Sequence, residues 1–134
     1  MEMKLEGDST WERPLARTEG GVSFWNNVLV RTLVSAILLM ILVNSALLFF
    51  FIRPSETPIV LHYNVYFGVD LLGIWWQAYM LPVLGLLFFG GHVLLARRFY
   101  EQTERIACHL MLLSATFLSL GLLIAGVSVS IINY

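Results

Sequence analysis

The chain has 134 residues, of which 58% are hydrophobic and 13% charged, and its formal net charge is −1. A soluble domain carries about 25% charged residues, so water is a poor solvent for this chain, and without a basic face or a glycine-rich phosphate loop no nucleic-acid partner is expected. The single cysteine, Cys108, excludes an intrachain disulfide and a thiolate zinc cluster.

Residues 1–27 are predicted to be a cytoplasmic polar tail. Its first 21 residues mix both charges and end in Gly20-Gly21, as a flexible segment or a docking segment for a partner would. Residues 28–52 are predicted to be the first transmembrane helix. Its apolar run, Thr32 to Ile52, reaches the roughly 20 residues that a bilayer crossing takes. That run and the polar leader before it are too long for a cleaved signal peptide. Asn44 is the one strongly polar side chain deep in this helix. In hydrocarbon it costs free energy unless bonded, so an interhelical hydrogen bond is expected.

Residues 53–70 are predicted to be a structured extracytoplasmic loop. From Ile59 the odd positions (Leu61, Tyr63, Val65, Phe67, Val69) are apolar or aromatic, and the even positions include His62, Asn64, Tyr66, Gly68 and Asp70. Period-two alternation marks an extended segment with one apolar face, suited to lie on the membrane surface or to cover helix ends. A lone strand leaves its backbone groups unpaired, so the segment either folds back on itself or pairs with another chain. Gly68 permits a turn that brings Asp70 back towards His62. The expectation is one cluster of His62, Asn64 and Asp70, with His62 fixed by a hydrogen bond and no metal bound. Asp70 is also placed to cap the second helix.

The second transmembrane helix is predicted over residues 71–96, bent at Pro82 and thinned by Gly85 and Gly90-Gly91. Residues 97–105 then form a tight cytoplasmic hairpin, in which Arg97, Glu101 and Arg105 stand four apart, as continued helix favours. Residues 106–132 are the third transmembrane helix. There Ser114, Gly121, Ala125 and Ser128 fall within one narrow stripe. Small residues let backbones approach closely in lipid, so the stripe is expected to pack against the other two helices, or else to form a homo-oligomer seam. His92 and His109 lie near the inner ends of the second and third helices, close enough in depth to meet.

Seven of the eight Lys and Arg residues (Lys4, Arg13, Arg17, Arg31, Arg97, Arg98 and Arg105) fall on one side if the N-terminus is cytoplasmic; only Arg53 falls on the other. The cytoplasm attracts such charges. The expected placement is a bacterial plasma (inner) membrane, multi-pass, with the C-terminus extracytoplasmic. Phe24, Trp25, Phe99 and Tyr100 would then line the inner interface, and Tyr66, Trp75, Trp76 and Tyr134 the outer one.

Pro58, His62, Asn64, Gly68, Asp70 and Gly73, standing in that order between two transmembrane helices, form a pattern that resembles the first extracytoplasmic loop of the SdpI-type membrane proteins. Their N-terminal domain, itself of unknown function, carries a Pro, a His-aromatic-Asn, a Gly and an Asp in the same order. Some members of that wider group act in immunity to a secreted toxin and in signalling. The Pro-to-His spacing is wider here, and the lysine that often follows the aspartate there is absent. "LHYNVYFGVDLLGIWWQ" is similar to small uncharacterised bacterial membrane proteins that share this loop; that resemblance implies a family and no activity.

The fold class expected is therefore an all-α membrane protein of three transmembrane helices with a structured loop between the first two. The function expected is a non-enzymatic scaffold in the lipid bilayer, without a cofactor, that presents its outer loop to a membrane protein partner or a second copy of itself. A channel or transporter subunit is the alternative, and a His/Asp-dependent membrane enzyme a further one.

Overall fold

The computed structural model describes residues 22–134. The tail predicted over residues 1–27 lies outside the described residues as far as Gly21. Three long helices dominate: α1 (Val28–Phe51), α2 (Met80–Glu101) and α3 (Arg105–Ile132). Each is long and apolar enough to cross a membrane, since 24 residues of α1 span about 36 Å at 1.5 Å per residue. Between α1 and α2 stands a two-stranded antiparallel hairpin, β1 (Ile59–Asn64) and β2 (Gly68–Gly73). By its three spans the chain is a multi-pass membrane protein, and the fold class is the one the sequence predicts.

The helices run up, down and up. α3 packs along both of the others, whereas α1 and α2 touch each other much less. Large aliphatic and aromatic side chains such as Leu42, Leu87 and Phe117 remain exposed around the bundle. An outer surface this apolar is what lipid tails demand of a spanning bundle.

The buried residues form three clusters along the bundle. At one end Phe24, Val30, Ala96, Tyr100, Cys108 and Leu112 pack together. Ile37, Ile41 and Ala115 fill the middle. At the other end Leu48, Ile52, Ile59, Ala78 and Val129 join the hairpin to all three helices. Gly85 lies where α1 crosses α2: a Cβ there would stand 3.3 Å from Ile41 Cγ1, so glycine sets how closely the two approach.

Several boundaries differ from the sequence expectation. The end of the predicted polar tail is not free. Residues Phe24–Asn26 make a 3-10 turn, and Asn27 caps α1 by accepting from the amides of Leu29 and Val30 at 3.0 and 3.3 Å. Phe24 and Tyr100, expected at an interface, are buried against each other edge to face, and the Tyr100 hydroxyl donates to the Val22 carbonyl at 2.6 Å.

Residues 71–73, read as the start of the second helix, belong to β2; a 3-10 segment over Trp75–Tyr79 then leads into α2. Pro82 therefore sits in the first turn of α2, where its missing N–H has no helical partner to lose. The helix runs on to Glu101, supported by Arg97 Nε donating to Glu101 Oε1 at 2.9 Å. Arg105 does not pair with Glu101 as the spacing suggested. The chain turns at Thr103 (φ 67°), and the Arg105 guanidinium stacks on the Tyr100 ring at 3.7 Å.

Candidate functional site in the hairpin

The hairpin closes through its turn chemistry. Asn64 Oδ1 accepts from the Tyr66 amide at 2.8 Å, a side chain standing in for a backbone turn. Gly68 has φ +78°, a left-handed conformation that glycine adopts without steric cost. Between them Val65, Tyr66 and Phe67 form the three-residue tip. The segment thus folds back on itself, one of the two arrangements that its alternation allowed.

The hairpin brings the side chains of His62 and Asp70 together, although in the ladder His62 partners Leu71. Asn64 partners Gly68, Tyr63 partners Val69, Val60 partners Leu72 and Ile59 partners Gly73; within that register the ladder is irregular on both sides of His62. His62 Nδ1 donates to Asp70 Oδ1 at 2.7 Å, and the two side chains keep 62% and 42% of their surface open to solvent. The pair that the sequence predicted is present. Asn64 is not part of it, because its carboxamide is used in the turn. Nor does Asp70 cap the second helix, since it lies within β2 and α2 begins ten residues later.

Further features fix the hairpin and the segments beside it on the bundle. Pro58 sits immediately before β1, where a residue without an N–H is tolerated. Gly73 leaves the space that the Leu61 side chain and Gln77 Oε1 occupy; a Cβ at this position would collide with both. Gln77 Oε1 in turn accepts from the Ile74 amide at 2.8 Å. At the outer edge of β1, the end of α3 contributes Asn133. Its Oδ1 accepts from the Val60 amide at 2.8 Å, and its Nδ2 donates to the Val60 carbonyl at 2.7 Å and to the Val129 carbonyl at 2.8 Å. A single carboxamide thus serves as a one-residue strand neighbour. Tyr79 adds a third tie, its hydroxyl lying 3.3 and 3.2 Å from the carbonyls of Leu48 and Ile52 at the end of α1.

Sequence reasoning missed Asn133, Gln77 and Tyr79. Asn133 ends a long apolar run and reads there as the end of a span. The only available signal was its double hydrogen-bonding capacity beside a strand whose outer edge needed partners.

Within the bundle, Asn44 makes the interhelical bond expected of it: Nδ2 donates to the Leu122 carbonyl at 3.2 Å, with the side chain 2% exposed. Its Oδ1 has no conventional partner and faces Gly126, where a Cβ would run into it. One Gly126 Cα–H therefore points at that oxygen, a weak hydrogen bond in a dry interior. The predicted small-residue stripe does not pack in the bundle. Ser114, Gly121 and Ser128 are exposed, Ala125 is half-buried, and nothing lies within 4 Å of where a Gly121 Cβ would be. The buried face of α3 is instead Cys108, Leu112, Ala115, Ser119, Gly126, Val129 and Ser130. Nor do His92 and His109 bond to each other: His92 Nδ1 donates to the Phe88 carbonyl at 2.7 Å, and His109 Nε2 is buried without a partner among the described residues.

Among the described residues no three His, Cys, Asp or Glu side chains converge to hold a metal ion. No serine, threonine or cysteine there hydrogen-bonds to His62. What the pair offers chemically is an exposed hydrogen-bonding and charged surface: a carboxylate that accepts, and an imidazole whose Nε2 is not engaged by that bond. Comparison of the chain with family models, with curated proteins and with solved structures finds no match.

Proposed function

We propose that this protein is a non-enzymatic scaffold of the bacterial plasma membrane, which holds a folded hairpin on the extracytoplasmic side and presents the polar face of that hairpin, centred on His62 and Asp70, to a membrane protein partner. The observation that carries this reading is an exposed His62–Asp70 pair on a hairpin tied by side chains to the ends of all three helices. A loop that served only as a connector would have no need of Asn133 at its edge, Tyr79 beneath it and Gly73 at its base. Preorganised polar groups on a fixed backbone lower the ordering cost of binding.

Among the described residues His62 is bonded to Asp70 and to no nucleophile, which favours recognition over a catalytic role, since a histidine base acts on a group within hydrogen-bond reach. The charge bias of the connections supports the outward placement of the hairpin. The resemblance of Pro58, His62, Asn64, Gly68 and Asp70 to the loop of SdpI-type proteins supports the same placement.

Photo-crosslinking tests the reading. A photoreactive residue in place of Asn64, activated in intact cells, is expected to give one discrete adduct, and the added substitution Asp70→Lys is expected to abolish it. The same residue in place of Leu94, on the lipid-facing side of α2, is expected to give no such band. Identical adduct patterns from both positions, or an adduct indifferent to Asp70→Lys, would remove the support for recognition by the hairpin.

A further inference from the structure

The two faces of the hairpin have different characters. Alternate residues of a strand point to one side. Ile59, Leu61 and Tyr63 of β1 therefore share a face, on which Tyr63 is paired with Val69 of β2, while His62 and Asp70 are bonded to each other on the other. The apolar face is itself divided. Near the base, Ile59 is buried and Leu61 packs against the cluster of Leu48, Ile52, Ala78 and Val129, which are residues from the ends of the helices. Beyond Leu61 the bundle offers no cover: Tyr63 is 49% exposed and Val69 48%, and at the tip Val65, Tyr66 and Phe67 are 84%, 90% and 84% exposed.

From these observations we infer that the outer half of the apolar face, together with the tip Val65–Phe67, rests in the headgroup region of the bilayer surface at this end of the bundle. The occupant follows from the interface already described. The base of the face lies against helix ends, so the face is turned towards the membrane. A strand of six residues extends about 20 Å at 3.3 Å per residue, and only its first half is spent over the helices. The remainder, facing the same way, meets the lipid that surrounds them. The depth agrees, because helices of about 36 Å overrun a hydrocarbon core of about 30 Å and end among the headgroups.

The chemistry agrees as well. The tip and overhang carry two tyrosines and a phenylalanine among aliphatic residues and no charge, a composition suited to the interface. The polar His62–Asp70 pair is on the opposite face, open to solvent. The hairpin is thus amphipathic across its thickness, as interfacial helices are across their diameter. This inference is independent of any protein partner of the polar face: it concerns the side of the hairpin that such a partner would not touch.

Fluorescence quenching tests it on the full chain in phosphatidylcholine vesicles. In a Cys108→Ala background, Phe67→Cys and separately Tyr66→Cys are labelled with an environment-sensitive dye, and Glu56→Cys in the exposed segment before β1 serves as the reference. The dye at 66 and at 67 is expected to be quenched by lipid bearing a nitroxide near its headgroup. It is also expected to be quenched by aqueous iodide several-fold less than the dye at 56. If iodide quenched 66 and 67 as efficiently as 56, and the nitroxide lipid left them unchanged, the tip would stand in water and the inference would be overturned. Using two adjacent positions ensures that the result does not rest on one substituted side chain.

Discussion

Asn133, the residue that follows α3, holds both backbone groups of Val60 in β1: Oδ1 takes the amide at 2.8 Å and Nδ2 gives to the carbonyl at 2.7 Å. The last turn of the third helix and the first strand of the hairpin are thereby one unit, although 73 residues separate them. Replacing Asn133 by Ala leaves two partly buried backbone groups without partners, which costs about 1–3 kcal/mol where water does not reach them. The expected result is faster amide exchange over Ile59–Asn64, with exchange in α1 unchanged. Equal exchange in wild type and Asn133→Ala would mean that the hairpin is held by its apolar base alone.

Gly126 and Gly121 are expected to respond in opposite ways. A methyl group at 126 enters space that Asn44 Oδ1 fills, and overpacking of this kind costs about 1–3 kcal/mol. Gly126→Ala should therefore lower the melting temperature in detergent. Gly121→Leu, at a position where no described residue comes within 4 Å of an added Cβ, should leave the melting of the monomer unchanged. Matching losses at both positions would place the stripe of Ser114, Gly121, Ala125 and Ser128 inside a packed interface after all.

These two glycines mark where the sequence stopped being legible. In water, the polar face of a helix reveals which side turns inwards. In lipid both sides of α3 are apolar, so small residues on two faces look alike, and the stripe that could be seen was not the one that packs. Asn44 was legible because a lone polar group in hydrocarbon has few options. The alternation from Ile59 to Asp70 was read correctly, and so was the approach of His62 to Asp70. The turn at Gly68 was read as well; what was missed is that the residues after it form a second strand through Gly73, and so Asp70 was also assigned as a helix cap. Asn133 was out of reach, because its importance arises from a tertiary neighbour that no local pattern encodes.

The His62–Asp70 pair is expected to contribute little to folding. Both side chains are largely exposed, and exposed ion pairs contribute about 0–1 kcal/mol. His62→Gln and Asp70→Asn should leave both the melting temperature and the amide exchange of β1 close to wild type, while reducing the crosslink described above. A large loss of thermal stability in either variant would make the pair a structural staple and weaken its assignment to recognition.

Gly68 tests the turn separately from the packing. No atom would contact an added Cβ there, yet its φ of +78° is a conformation that other residues adopt only at a cost, about 1–2 kcal/mol in the left-handed region. Gly68→Ala should therefore increase protease cleavage at the tip, and Gly68→Asn, which tolerates that conformation better, should restore part of the protection. If Ala and Asn at this position behaved alike, the left-handed turn would not be what holds the tip.

The account as a whole stands on the hairpin facing outwards. Impermeant thiol labelling of intact cells measures this directly, in a Cys108→Ala background with one new cysteine at a time. Ser55→Cys, in the segment between α1 and β1, is predicted to be labelled, and Gln102→Cys, between α2 and α3, to be labelled only after the membrane is breached. Labelling of Gln102→Cys in intact cells, with Ser55→Cys protected, would place the hairpin in the cytoplasm and contradict its presentation to an extracytoplasmic partner.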